Sequence, residues 1–169
     1  MAKSDSFFIR AIARSTGGAY SETSIDLGAY VDALGKSVLR VHNISTQAFP
    51  ATLGNDWSLA AGTTSNLTYQ LTTQTQTAMV DASDKSVIAS GQLHISNTVG
   101  TAPGYEFLSH DADVMPQHWR NGYLVGVEQI YLAAQADAQL ADGSIAIVLE
   151  CTVETLSQSA AMALALSQQ

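Results

Sequence analysis

The sequence predicts an all-β fold, a single β-sandwich of about eight strands. Three observations carry this. Apolar residues recur with period two along most of the chain, the spacing of half-buried strands. Turn formers separate these runs, and the longer joints (Ser15–Glu22, Ala48–Trp57, Asn97–Glu106) are rich in Gly or contain Pro. Helix-forming composition is confined to the last segment and one ambiguous stretch before it.

The first strands are Phe7–Ala13 (FFIRAIA), Ser24–Ala33 (SIDLGAYVDA) and Ser37–Ile44 (SVLRVHNI). The clearest alternation follows, from Ser65 to Val80. Leu67, Tyr69, Leu71, Thr73, Thr75, Thr77 and Met79 share one face, and Thr68, Gln70, Thr72, Gln74 and Gln76 share the other. This segment is expected to be the longest strand. Asp81–Lys85 (DASDK) is a turn, and Ser86–Ser96 continues with Val87, Ala89, Leu93 and Ile95 on one face, which completes the strongest hairpin signal. A short strand lies in Gly104–Ser109.

Two runs flank Ala141–Gly143 (ADG): Tyr123–Leu140 and Ser144–Leu156. Alanine and glutamine in Glu128–Leu140 also suit a helix, but Tyr131, Ala133 and Gln135 alternate into the turn and favour a strand. Asp-Gly supplies the positive φ of a tight reversal. Such a turn is either a hairpin within one sheet or a corner between two. The tail, Ser157–Gln169, reads as a helix capped by Ser157. It either packs on its own domain or swaps onto a neighbour. The whole is one domain, 1–169, with a short N-terminal arm and a C-terminal tail. This strand layout closes as a sandwich, the jelly roll included, or as a barrel.

Composition narrows the function. Hydrophobic residues are 46% of 169, as in ordinary globular chains. No apolar run approaches the ~18 residues of a membrane-spanning helix. Arg10 and Arg14 interrupt the N-terminal apolar run, so no signal peptide is read and synthesis and folding in the cytoplasm are expected. Cys151, the one cysteine, shares a face with Ile147, Leu149 and Val153 and reads as a buried thiol. The formal charge is −8 with only seven basic residues, which argues against specific nucleic-acid binding. Three of the seven, Lys3, Arg10 and Arg14, form a basic arm: a solvated tail, or a contact to an anionic surface such as lipid or nucleic acid. Ten Asp against five Glu, with three Lys, suits a surface that stays soluble in high salt.

One segment looks like chemistry. Leu108–Trp119 (LSHDADVMPQHW) holds His110, Asp111, Asp113 and His118. A facial triad on a jelly roll uses His-x-Asp and a later His, but Ala112 stands two places after His110 and no His follows His118. Zinc pairs are missing, and a calcium loop would need a Gly and a later Glu where Val114, Met115 and Pro116 stand. The segment is therefore expected to be a connection anchored by Trp119, with Asp as turn former. No catalytic, cofactor or metal residues are assigned, and no enzyme is expected.

The opening residues 1–28 (MAKSDSFFIRAIARSTGGAYSETSIDLG), the strand-rich middle and residues 143–169 together resemble the small single jelly-roll major capsid proteins of membrane-containing icosahedral viruses of halophilic archaea and thermophilic bacteria. The resemblance lies in size and strand layout over the full length. It implies a jelly roll, a location in the virion, and self-assembly into an icosahedral shell. It also implies homo-oligomeric capsomers shared with a second capsid protein, standing over an inner membrane that the arm (Lys3, Arg10, Arg14) touches. The alternatives are a carbohydrate-binding β-sandwich module, with Trp57 and Trp119 as its aromatic residues, or a subunit of another self-assembling surface lattice. The apolar ends, Phe7–Ala13 and Ala160–Ser167, are the expected joints of the assembly.

Overall fold

A computed structural model of the chain describes residues 4–32 and 36–169. Lys3 of the basic arm lies outside the described residues. The order is β1 (Phe7–Ser15), β2 (Ser21–Asp26), β3 (Ser37–Phe49), β4 (Thr63–Thr72), β5 (Val87–Asn97), β6 (Phe107–Val114), a 3₁₀ turn (Pro116–His118), β7 (Tyr123–Val125), β8 (Gln129–Ala136), β9 (Gly143–Thr155) and helix α1 (Gln158–Ser167). One sheet runs β1-β9-β3-β7 and the other β2-β8-β4-β5-β6. Every pairing is antiparallel.

The pairings nest. β1 lies on β9, β2 on β8, β3 on β7, and β4 on β5. This is one long hairpin folded over on itself, with its two arms passing together from sheet to sheet. That winding is the jelly roll. β6 is added outside the nest, on the free edge of β5.

Alternation fills the space between the sheets. Leu39, Leu67, Leu93, Ile95, Ile130, Leu132, Ile145 and Leu149 are all essentially inaccessible to water. Cys151 is buried among them, and burial pushes its thiol up to about 12. The ambiguous stretch after Glu128 is strand β8, because its alternation buries Ile130, Leu132, Ala134 and Ala136 against the opposite sheet.

The Thr/Gln run departs from its pattern. β4 stops at Thr72, and the longest strands are β3 and β9, of 13 residues each. Past Thr72 the polar side chains supply local hydrogen bonds that compete with the ladder. Thr72 Oγ1 donates to the Gln74 carbonyl (2.7 Å). Buried Gln70 acts like a piece of backbone: its Oε1 accepts from Val80 N–H (2.8 Å) and its Nε2 donates to the Ala78 carbonyl (3.3 Å).

The ADG turn is a corner, since β8 and β9 lie in different sheets. Positive φ falls on Ala141 (62°), not on Gly143. Gly143 is needed for close approach, because a Cβ there would lie 2.9 Å from Leu67 Cδ1. An ion pair is built into the first sheet: Arg40 Nε and Nη2 donate to the Glu154 carboxylate at 2.7 and 2.8 Å, and Glu154 is fully buried.

The tail folds back on its own chain. Ser157 caps α1 by accepting from Ala160 N–H (3.3 Å). Ala161 and Ala165 are buried, and the helix rests on Gly126, where a Cβ would meet Leu164 Cγ at 3.0 Å. Gln168 then locks it: Oε1 accepts from Gly126 N–H (2.8 Å) and Nε2 donates to the Leu124 carbonyl (2.7 Å). Thr73 Oγ1 and Gln74 Nε2 donate to the Gln168 carbonyl at 2.9 and 3.2 Å. The tail thus packs on its own domain, while Met162 and Leu166 stay exposed on its outer side. Among the described residues, no helix is long and apolar enough to cross a membrane.

Candidate assembly interface

The segment read as a connection is largely a strand. Phe107–Val114 pairs with Ser90–Ser96 of β5 as an edge strand. Asp and His are poor strand formers, and pairing overrides that preference where one side faces water. Pleating then separates the four candidate residues. His110 pairs with Leu93 and shares its inward face, whereas Asp111 lies on the outward face with Phe107, and Asp113 is the unpaired residue of a bulge between Ala112 and Val114. His118 sits on the 3₁₀ turn, and Trp119 is 55% exposed and anchors nothing. Among the described residues, no group of three His, Cys, Asp or Glu is placed to hold a metal ion.

His110 has a packing role. Its Nε2 lies 3.1 Å from Tyr69 Oη and 3.5 Å from Thr46 Oγ1, and the two rings meet edge-on at 5.6 Å. It thus pins β6 to β4 and to β3 of the opposite sheet. Burial raises the Tyr69 phenol above its usual pKa. Tyr69 reaches His110 across Gly91, where any Cβ would overlap the Tyr69 hydroxyl. Glycine is the residue that lets β6 be tied on.

Sheet edges are natural sites of association, and proteins cover them. Beyond β7, the Gln117 side chain stands in for a strand on β3. It accepts from Ile44 N–H and donates to the Ile44 carbonyl, both at 3.1 Å. At β2, Thr75 Oγ1 and Gln76 N–H donate to the Glu22 carboxylate (2.6 and 2.9 Å), which lies on the outer face of the sheet with Gln70 rather than along its edge. No such cover lies over β1 or β6. Among the described residues, their backbone hydrogen bonds run only to β9 and β5.

Both open edges carry aromatic side chains toward solvent. Phe8 on β1 and Phe107 on β6 are each 56% exposed, and Tyr105, Leu108 and Val99 extend the patch beside β6. Neutral apolar surface of this kind marks contact sites. Phe7, on the inward face of β1, is satisfied internally and stacks on Tyr30 at 4.6 Å. The short strand expected in Gly104–Ser109 is displaced to Phe107–Val114, into the segment expected to be a connection. Trp57 is buried, which leaves Trp119 as the exposed tryptophan. It lines an open cleft of about 490 Å³ with Val114 and Tyr123.

No protein-family model matches the sequence, and no curated protein matches it. Among solved structures, the chain is similar to the VP1 unassembled pentamer of Merkel cell polyomavirus, with 6% identity, TM-score 0.41, and 89% of this chain and 96% of that one covered. It is also similar to a structure of maize chlorotic mottle virus, with 10% identity, TM-score 0.32, and coverage of 90% and 95%. A weaker likeness is to the tailspike gp49 of Acinetobacter baumannii bacteriophage Fri1, a capsular polysaccharide depolymerase, with 14% identity, TM-score 0.16, and coverage of 81% and 20%. Alignments this loose assign no function, and the jelly-roll winding rests on the strand pairings of the chain itself.

Proposed function

We propose that the protein is a structural subunit of a viral capsid. The observation that carries this reading is a jelly roll with two uncovered strand edges, each presenting an exposed phenylalanine. Edges of this kind give heterologous contacts that symmetry repeats into a shell. A stable contact buries about 1,600 Å² in total, within reach of the flank of a domain this size. The finer reading follows the sequence resemblance. The subunit is a major capsid protein of a membrane-containing virus of a salt-loving host, working with a second capsid protein. In that reading the shell stands over an inner membrane. The His/Asp segment takes no part in catalysis.

The test is assembly of the purified chain across protein and salt concentration, followed by light scattering and electron microscopy. Discrete oligomers or closed particles are the expected result. A chain that stays monomeric throughout, and shifts only on addition of a glycan, would replace this reading with the carbohydrate-binding one, for which Trp119 is the exposed aromatic.

A further inference from the structure

The assembly reading leaves open which surfaces meet. The two open edges differ in charge. On the outward face of β1 stand Phe8, Arg10 and Arg14; on that of β6 stand Phe107 and Asp111, with exposed Asp113 at the bulge that ends the strand. Arg14 is partly engaged at home, 5.7 Å from the centre of the Phe49 ring and 3.4 Å from the Ala51 carbonyl. Arg10 is exposed and makes no hydrogen bond or ion pair with its side chain among the described residues. Among the described residues, the Asp111 carboxylate receives only the Ser109 hydroxyl, at 3.2 and 3.3 Å.

The edges also lie on opposite flanks. β1 sits over β2 and β8 at one end of the sandwich, and β6 ends the five-stranded sheet at the other. Pairing β1 with β1 sets arginine against arginine, and pairing β6 with β6 sets aspartate against aspartate. Like charges across a strand pair are unfavourable and opposite charges favourable. Of the three ways two copies can join these edges, only the cross-pairing matches charge while also placing an exposed phenylalanine on each side.

We infer that copies of this chain join head to tail, the basic β1 edge of one against the acidic β6 edge of the next. This inference rests on the assembly reading and names its contact. Because the two surfaces differ, the contact is heterologous and closes into a ring when the rotation permits. It also fits the cover of the other flank: the β3–β7 edge is blocked by Gln117 and Gln168 of its own chain, while β1 and β6 are left for a neighbour.

The experiment is sedimentation velocity at about 0.1 M salt, where the screening length is about 10 Å. It compares the full chain, Arg10→Glu, Asp111→Arg/Asp113→Arg, and a 1:1 mixture of the two variants. Circular dichroism confirms folding, which exposed positions should preserve. Each variant alone is expected to associate at least tenfold more weakly than wild type. The mixture is expected to recover pairs of wild-type affinity, because the unaltered β1 of the second variant meets the unaltered β6 of the first. Variants that associate like wild type would show that the charges only guard the edges. A mixture that recovers nothing would show that β1 does not meet β6. Both results overturn this inference and leave the assembly reading standing. A wild-type chain that stays monomeric at every concentration overturns both.

Discussion

The two ends of the chain are both apolar, yet they do opposite things. β1 runs along the sandwich as an edge, with Phe8 and Arg10 in solvent and one side of its backbone uncovered. α1 closes on its own domain, with Ala161 and Ala165 buried and Gln168 hydrogen-bonded to Gly126 and Leu124. The difference lies in backbone chemistry. A helix satisfies its own N–H and C=O groups, so one well-placed side chain suffices to dock it. An edge strand satisfies only one side and leaves the other for a partner. Apolar composition alone does not distinguish the two cases.

Four experiments break or sharpen this contrast. The largest effect is expected from deleting residues 158–169. That removes the buried face of α1 and strands the Gly126 N–H and Leu124 carbonyl, at a cost of about 3–5 kcal/mol in urea unfolding. A loss under about 1 kcal/mol would mean that the helix is not tied down. Gln168→Ala isolates the lock and should cost about 2–3 kcal/mol, read from the same unfolding midpoint.

Alkaline titration comes next. Burial raises the Tyr123 phenol, which a hydrogen bond with Gln168 partly opposes. Burial, and then Glu22, raise Tyr20 from 10.0 to about 12. A folded pKa raised above the unfolded value stabilises fully below the unfolded value and is lost as pH climbs past it. Thermal stability should therefore hold up to about pH 10 and fall between there and about pH 12. A flat profile through that window would contradict the burial of these phenols. The smallest effect belongs to β1: Arg10→Glu should change monomer stability by no more than about 0.5 kcal/mol. A larger loss in calorimetry would place Arg10 in the fold rather than on its surface.

Much of the fold was legible because it rests on local periodicity. Leu67, Leu93, Ile130 and Ile145 alternate in sequence and meet in the core. Three features depend on distant partners and were not. The Thr/Gln run keeps its period past Thr72, but Gln70, Thr72 and Glu22 draw its backbone out of the sheet. The Asp-Gly signal named the right turn and the wrong residue, because Gly143 answers to Leu67 from another strand. The extension of β6 through His110–Val114 was hidden because an edge strand needs no buried stripe of its own. Its place is set by β5 and by the Tyr69–His110 contact over Gly91. The four His and Asp residues are close in sequence but not in function: pleating parts His110 from Asp111, a bulge carries Asp113, and His118 lies on the 3₁₀ turn.

Hydrogen exchange, followed by mass spectrometry at low and high protein concentration, tests the central claim most directly. If the uncovered edges are the joints, amides in 7–15 and 107–114 gain protection together as association proceeds, while those in 158–167 are already slow and do not change. Protection that grows in 158–167 while both edges stay fast would contradict the account and return the tail to the interface.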